Sequence, residues 1–471
     1  MTSAVQKESG LRKPRVVREK AFYKMLFTLA LPVTMQNVVV FLTQMLDTVM
    51  LGELGDVAVS ASSLANQPFF IFNMLTFGLG SGAAVLTAQY WGMRQTGPIK
   101  VIMTMIIKFS LCAGILLTAA AFFFPEQIMR IFIADAEVVE AGAQYLKIIC
   151  WAYAFFGFTN VFYTAMRSVE AVKVGMVSNL AALLVNASLN YVLIFGKLGA
   201  PAMGVQGAAL ATLIARLVEF VIAFIYLAFV DKRLKIRFRD FFLSDRVLLK
   251  DLIIVSTPVM LNELMWSLGV SMQARLLGQL GKTVVSANSI ISVVQQLSTV
   301  AVFGVASAAA VMIGKAIGEG DQQKARDRGY TFKILAVIFG FFVFGVILLL
   351  KNVAVDFYNV SADTKALAHN MIYVAALIGF FVSISGISIV GILRGGGDTK
   401  FSLMIEMFAL WCIAVPAAYF VGLVLHWPPV FVFLVMKVDE PVKAVLCFIR
   451  MHGAKWIRNV TRNGLSSETA E

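Results

Sequence analysis

The fold is decided by a segment that occurs twice in the chain. It reads Met50-Leu-Gly-Glu-Leu-Gly-Asp56 and returns 226 positions later as Leu276-Leu-Gly-Gln-Leu-Gly-Lys282. Other pairs that match at the same offset are Pro32 with Pro258, Gly78 with Gly304, and Gly92 with Gly318. A match of this length at one fixed offset indicates an internal duplication, so we expect two related halves.

The composition places those halves in a membrane. Of the 471 residues, 59% are apolar and only 14% are charged, which is too few polar side chains to cover a water-facing surface. A span needs about 20 apolar residues. We predict helical spans at 25–47, 59–88, 101–124, 143–163, 174–195, 204–229, 252–276, 284–312, 331–350, 370–392, 403–424 and 428–448. These twelve spans leave no room for a soluble catalytic domain.

The basic residues predict which way the spans run. The net charge is +13, and the lysines and arginines collect in the first tail, in alternate loops and in the last tail. Under the positive-inside rule this places both termini in the cytoplasm, in a bacterial cytoplasmic membrane. The excess charge is thus explained without nucleic acid, and the first 24 residues lack the features of a removable signal peptide.

The predicted domains follow from the duplication and the charge. We predict a basic cytoplasmic N-terminus at 1–24, a first lobe at 25–230, a cytoplasmic linker at 231–251, a second lobe at 252–449 and a cytoplasmic tail at 450–471. Six spans in each half give both halves the same orientation, so they are parallel repeats. Two such lobes can enclose a cleft and expose it alternately to either side, although a scaffold or static pore is the alternative.

Several short motifs, in their order on this twelve-span frame, resemble the multidrug and toxic compound extrusion (MATE) family. The motifs are Leu31-Pro32-Val33, Asp47-Thr-Val-Met50, Ala88-Gln89-Tyr90-Trp91-Gly92, Ile194-Phe195-Gly196, Leu393-Arg394-Gly-Gly-Gly-Asp398-Thr399-Lys400 and Lys455-Trp456-Ile457-Arg458. The likeness covers residues 24–462. It implies a secondary antiporter that exports small molecules against an inward flow of protons or sodium ions, within a superfamily that also contains lipid-linked oligosaccharide flippases.

One candidate cation site is centred on Asp47, because an acid inside a span is costly and therefore a functional candidate. The resemblance implies that Asp47 acts with polar residues of the fourth and fifth spans, here Asn160, Asn186 and Asn190. Asn186 and Asn190 are four residues apart and share a helix face. One branch of the family has a second acid where this chain has Asn190. The alternatives are an ordinary interfacial acid at Asp47 and interhelical hydrogen bonding by the asparagines.

A second candidate is Glu263 in the seventh span. It could carry a proton or face a cationic substrate, or simply form a hydrogen bond to a neighbouring helix. The tenth predicted span has no acid, so a sodium site with two acids is not expected there. Tyr153, Met265 and Trp266 are candidates for lining a substrate cavity, because aromatic rings and thioethers suit flat organic cations.

Two charged pairs recur at matching places in the halves. Arg216 with Glu219 and Lys437 with Glu440 are each three residues apart, and we predict that both form structural ion pairs. Glu406 has no predicted partner or role.

These features predict a cation-coupled efflux antiporter for cationic aromatic molecules that needs no cofactor and works as a monomer. The alternative is a flippase for lipid-linked oligosaccharides or an exporter of another metabolite. An enzyme is not expected, because His369, His426 and His452 are scattered and no metal-ligand spacing occurs. The four cysteines likewise have no paired spacing.

Overall fold

A computed structural model describes residues 12–358 and 360–462. The outermost parts of the two predicted tails, 1–11 and 463–471, lie outside the described residues. Within the described ranges the chain forms helices joined by short turns, without a β-strand. The protein is therefore all-α, as the sequence predicts.

Nine of the described helices are long and apolar enough to cross a membrane. A tenth span is possible where Ala136–Ile149 and Ala152–Ser168 meet at a bend of 56°. The seventh predicted span lies within the helix Arg246–Leu280, and the twelfth covers Pro429–Met436 and part of Asp439–His452. All twelve predicted runs thus lie on helices of a multi-pass membrane protein.

The helices divide between two compact units. We call residues 35–87 and 96–253 the N-unit, and the described parts of 12–34, 88–95 and 254–462 the C-unit. The lobe boundaries given above stay predictions.

The N-unit contains the first nine helices, of which α1 and α3 extend beyond it. They are α1 Lys20–Gly52, α2 Asp56–Ala65, α3 Gln67–Gly92, α4 Thr96–Phe123, α5 Pro125–Phe132, α6 Ala136–Ile149, α7 Ala152–Ser168, α8 Lys173–Phe195 and α9 Gly204–Ile225. One buried cluster of the N-unit joins Phe72, Met129, Tyr145 and Tyr153 with small residues such as Ala121 and Ala208. Small residues let the neighbouring helices approach closely, because lipid gives apolar helices little hydrophobic reason to associate.

The C-unit contains most of the remaining helices, and α10 begins in the N-unit. They are α10 Arg246–Leu280, α11 Lys282–Gly318, α12 Gln322–Phe357, α13 Ala362–Gly386, α14 Thr399–Glu406, α15 Val415–Tyr419, α16 Pro429–Met436 and α17 Asp439–His452. Three π-helical segments interrupt them, Ile387–Leu393 after α13, Met407–Ala414 after α14, and Phe420–Val424 after α15. The tenth and eleventh predicted spans are therefore irregular helices, and the twelfth is divided between α16 and α17.

The repeated segment forms the same turn in both halves. Gly55 and Gly281, which match at the repeat offset, have φ angles of 98° and 115°. An L-residue with a side chain rarely adopts these angles, so glycine is needed here. The turn ends one span and starts the next at matching places.

Two further matched glycines make a close helix contact inside the C-unit. A Cβ atom at Gly92 would overlap the carbonyl oxygen of Lys315, and a Cβ atom at Gly318 would overlap that of Gln89. The ends of α3 and α11 therefore cross at their backbones, and the duplication supplies a glycine from each side.

Gly318→Ala is expected to destabilise the protein by about 1–3 kcal/mol, because the added methyl group meets a backbone carbonyl that cannot rotate away. Thermal unfolding of the purified protein measures the loss. Gly345→Ala in α12 is the matched control, since nothing lies within 4 Å of its added Cβ atom. Equal melting temperatures for the two variants would contradict the close contact.

Both terminal segments contact this same end of the C-unit. The backbone N–H groups of Arg15 and Val17 donate to Asp327 and Thr331 near the start of α12, each at 2.9 Å. At the other end of the chain, the Gln89 side chain donates to the carbonyl of Arg458 at 3.0 Å and accepts from the N–H of Val460 at 2.9 Å. The two described tails therefore lie on one side of the unit.

Candidate cation site and buried ion pairs

Asp47 lies at the centre of a polar network within the N-unit. The Asn190 side-chain amide donates to Asp47 Oδ1 at 2.5 Å and to Asn186 Oδ1 at 3.1 Å. Asn186 in turn donates to Thr212 on α9 at 3.2 Å. The structure thus brings together three of the four residues of the predicted cation site, from α1 and α8.

One buried oxygen atom of this network can still accept a hydrogen bond or bind a cation. Asn186 and Asn190 are 1% and 0% exposed, and the buried Asn190 Oδ1 accepts no hydrogen bond. Asp47 itself is half-buried. Among the described residues, no basic side chain forms an ion pair with Asp47. Carboxylate and amide oxygens are the ligands that hard cations prefer, so a cation could bind beside these two residues.

Asn160 does not join this network. Its amide group donates instead to Asn73 Oδ1 at 3.3 Å and to Thr76 Oγ1 at 2.9 Å, both on α3. The structure therefore places Asn160 against α3 and not beside Asp47, and a role for it in cation coupling stays a prediction. Its residue type does not indicate whether α3 or α8 is its neighbour.

Arg216 and Glu219 form an ion pair on α9. Arg216 Nη1 lies 2.9 Å from Glu219 Oε2, and the Glu219 side chain is only 3% exposed. The guanidinium group also faces the rings of Phe156 and Phe69, at 5.1 and 5.8 Å from their centroids. Arg216 is thus held by a carboxylate and two aromatic rings, which suits a structural clamp.

Glu263 has a partner that the sequence did not predict. Its Oε1 lies 2.6 Å from Arg394 Nη2, and the two side chains are 12% and 3% exposed. Arg394 immediately follows the π-helical segment after α13. Because this buried ion pair engages the carboxylate, Glu263 is not a free acid in this structure.

The predicted cavity residues have different environments. Tyr153 is 0% exposed and stacks against Phe69 with a centroid distance of 5.8 Å, so it lies in the core of the N-unit in this structure, and its role in a substrate cavity stays a prediction. Trp266 is 39% exposed. The Met265 backbone carbonyl accepts from Trp411 Nε1 at 3.2 Å. A role for Met265 and Trp266 in substrate binding stays a prediction.

The predicted pair between Lys437 and Glu440 is wrong. Lys437 Nζ donates to Gln273 Oε1 at 2.8 Å, whereas Glu440 Oε1 lies 2.7 Å from Lys443 Nζ. The helix break between α16 and α17 separates Lys437 from Glu440, so the three-residue spacing no longer gives one shared helix face.

Lys443 was missed by sequence reasoning. It lies in α17, and its Nζ atom is 2.9 Å from Asp439 and 3.3 Å from Glu406. Lys443 is therefore the partner of Glu406 for which the sequence analysis had no prediction. The spacings of three and four residues from Glu440 and Asp439 were visible signals. Among the described residues, no cluster of histidine, cysteine and acidic side chains could hold a metal ion.

Comparison with known proteins identifies the class. The MatE family profile matches residues 32–192 and 258–420, one match in each half. A "Probable multidrug resistance protein NorM" of Bradyrhizobium diazoefficiens is 30% identical over 390 residues, 79% of this chain and 81% of that protein. Another of the same name, from Thermotoga maritima, is 27% identical over 398 residues, 84% and 85% of the two chains.

Solved structures show the same fold. A MATE crystallised in complex with MaL6 superposes with a TM-score of 0.83 at 21% identity, covering 96% of this chain and 98% of that one. An outward-facing multidrug resistance MATE family transporter gives a TM-score of 0.82 at 21% identity, with coverages of 93% and 98%.

The duplicated all-helical fold and the family match together define a membrane transporter. Since the family profile covers more than half of the chain, the protein belongs to the MatE family. It is a multi-pass membrane transporter and not an enzyme.

Proposed function

We propose that this protein is an efflux antiporter that exports organic cations against an inward flow of protons or sodium ions. Relatives named as multidrug resistance proteins support the direction and the breadth of transport. The parallel duplication supports an alternating-access cycle in which one lobe moves against the other.

The observation that carries the proposal is the unneutralised carboxylate of Asp47. The buried acids Glu219, Glu263, Glu406, Asp439 and Glu440 each have a lysine or arginine within 3.3 Å. In the described part of the chain, Asp47 forms no ion pair: it accepts a hydrogen bond from Asn190, and the charge of Arg216, which pairs with Glu219, acts on it only from a greater distance. A carboxylate within a span that lacks a close counter-charge stabilises whichever cation binds there.

This electrostatic preference provides the coupling. A proton, a sodium ion and a cationic substrate would each neutralise the same carboxylate, so binding of one disfavours binding of another. Exchange of an inward-moving ion for an outward-moving substrate follows if the site faces the two sides of the membrane in turn. Asn190 Oδ1 supplies a further oxygen beside Asp47 for a bound ion.

The flippase alternative has less support from the structure. A lipid-linked anionic substrate needs basic groups that are free to bind it. Arg216 and Lys443 are engaged by acids, and Lys437 is engaged by Gln273. Lys108 donates to the carbonyl of Leu243 at 3.2 Å. These contacts favour a cationic substrate.

We place the protein as a monomer in a bacterial cytoplasmic membrane with both termini inside. The distribution of lysine and arginine supports this orientation. The contacts of both terminal segments with one side of the C-unit support an even number of spans.

The test is efflux of ethidium from proteoliposomes under a pH gradient and a sodium gradient, each imposed separately. We expect one of the two gradients to drive ethidium transport and collapse of that gradient to stop it. Lack of transport under both gradients, with correctly inserted protein, would reject coupled export of this cation.

A further inference from the structure

The C-unit contains a buried group of four charged side chains that the proposed function does not use. Lys443 Nζ lies 2.7 Å from Glu440, 2.9 Å from Asp439 and 3.3 Å from Glu406. The lysine side chain is 3% exposed, and those of Glu406 and Asp439 are each 5% exposed. We call these four residues the Lys443 cluster.

The charges of the Lys443 cluster do not balance. Three carboxylates around one ammonium group leave two excess negative charges if every acid is ionised. Burying unbalanced charge is costly, and the cost falls when a carboxylate binds a proton. Within the described part of the chain, the other titratable groups near the cluster are Lys437 and the buried Cys447 thiol. Lys437 donates to Gln273, and its charge also acts on Asp439 and Glu440, which leaves one excess negative charge if every acid is ionised.

The contacts indicate which carboxylate oxygen could bind a proton. Asp439 is 4% exposed, and its Oδ1 atom has no hydrogen-bond partner. On the other side, the Ser385 hydroxyl donates a hydrogen bond to Glu440 Oε2. The cluster therefore contains one buried carboxylate oxygen without a donor, next to acids that are already held in place.

The backbone is irregular on every helix that contributes to the cluster. Ser385 lies just before the π-helical segment Ile387–Leu393, and Glu406 lies just before Met407–Ala414. Asp439 begins α17, directly after the break that follows α16. Such π-helical segments occur frequently at functional sites, and interrupted helices form ion sites in transporters.

The break also leaves open space beside the cluster. A cavity of about 260 Å³ lies between α13, α16 and α17. Lys437, Val438 and Pro441 are among the residues that line it. Val438 and Pro441 flank Asp439 and Glu440 in the sequence, so space for rearrangement lies next to the acids.

We propose that the Lys443 cluster is a second proton-binding site of this transporter, in which Glu406, Asp439 and Glu440 share one exchangeable proton against Lys443. On loading, one carboxylate oxygen forms an O–H bond with a proton from solvent. On release, that proton returns to solvent and the cluster regains its negative charge. Coupling of this exchange to export rests on the proposed function, whereas proton binding itself does not.

Infrared difference spectroscopy tests proton binding without a substrate. The purified protein would carry Asp47→Asn, which removes the first site, and would be titrated from mildly acidic to mildly alkaline pH. We expect a carbonyl band of a protonated carboxyl group that disappears as the pH rises. Adding Glu440→Gln should remove or shift this band, whereas Glu137→Gln, at an exposed acid, should leave it unchanged.

The inference is overturned if the band is absent, or if cluster variants leave it unaltered. Should Glu440→Gln fail to fold, Glu406→Gln provides the second variant, because Glu406 makes the longest contact with Lys443. Ser385→Ala keeps all the charges and removes the donor to Glu440, so it should shift the pH at which the band disappears.

Transport measurements separate this inference from the proposed function. If a pH gradient drives ethidium export and Glu406→Gln reduces the number of protons moved per ethidium, both the proton site in the Lys443 cluster and the proposed function are supported. If the titrating band is present but neither gradient drives export, proton binding stands and the proposed function fails. If the pH gradient drives export and the band is absent, the Lys443 cluster is only structural.

Discussion

Asp47→Asn is expected to abolish gradient-driven ethidium efflux while the amount of protein in the membrane stays normal. The amide has nearly the same shape and can still accept the hydrogen bond from Asn190. However, it has no negative charge to attract a cation and binds no proton in the ordinary pH range. The whole ion-dependent part of transport should therefore be lost.

The measurement compares efflux rates in proteoliposomes that contain equal amounts of each variant. Glu53→Gln is the matched control, because Glu53 is an exposed acid just beyond the end of α1. It should transport like the unmodified protein. If Asp47→Asn also kept its gradient-driven efflux, Asp47 would have no part in coupling and the proposed site would be rejected.

Glu263→Gln is expected to cause the largest loss of stability, about 3–5 kcal/mol, because it leaves the buried Arg394 without its counter-charge. The free energy of unfolding in mixed detergent micelles measures this loss. Glu319→Gln is the matched control. It breaks an ion pair with Lys324 whose side chains are 30% and 41% exposed, so less than about 1 kcal/mol should be lost.

A double variant distinguishes the ion pair from other roles of Glu263. Replacing Arg394 together with Glu263 by glutamine removes both buried charges and should recover part of the lost stability. Transport by the Glu263→Gln variant should then fall equally for cationic and neutral compounds, because the lost contact is internal. A loss confined to cationic compounds, with stability unchanged, would instead restore Glu263 as a substrate-binding acid.

Much of the fold could be predicted from the sequence, because the signals are strong and local. In a bilayer, the backbone N–H and C=O groups of a long apolar run form all their hydrogen bonds when the run is a helix. The matching segments at Met50 and Leu276 indicate the duplication. The π-helical segments were not predictable from residue type. The break at Lys437 and Val438 did have a signal that a prediction of one continuous span overlooks, because Pro441, in the first turn of α17, has no N–H group to donate to the carbonyl of Lys437.

The candidate site was predictable only in part. Asp47, Asn186 and Asn190 could be grouped because the two asparagines share a helix face and the resemblance to the MATE family implies that they act with the acid of the first span. Asn160 was grouped with Asp47 but contacts α3, and Tyr153 was assigned to a cavity but is buried in this structure, so their functional roles stay predictions. Residue type shows that a side chain needs a partner but does not indicate which packed helix supplies it.

The sequence by itself determined the helical membrane fold, its two related halves and the few polar side chains that need an explanation. Tertiary structure alone decided how those side chains pair. It joined Glu263 to Arg394, placed three acids around Lys443, and left Asp47 with an amide but no close counter-charge. The physical reason is that helix formation depends on neighbours along the chain, whereas neutralising a buried charge depends on residues distant in sequence.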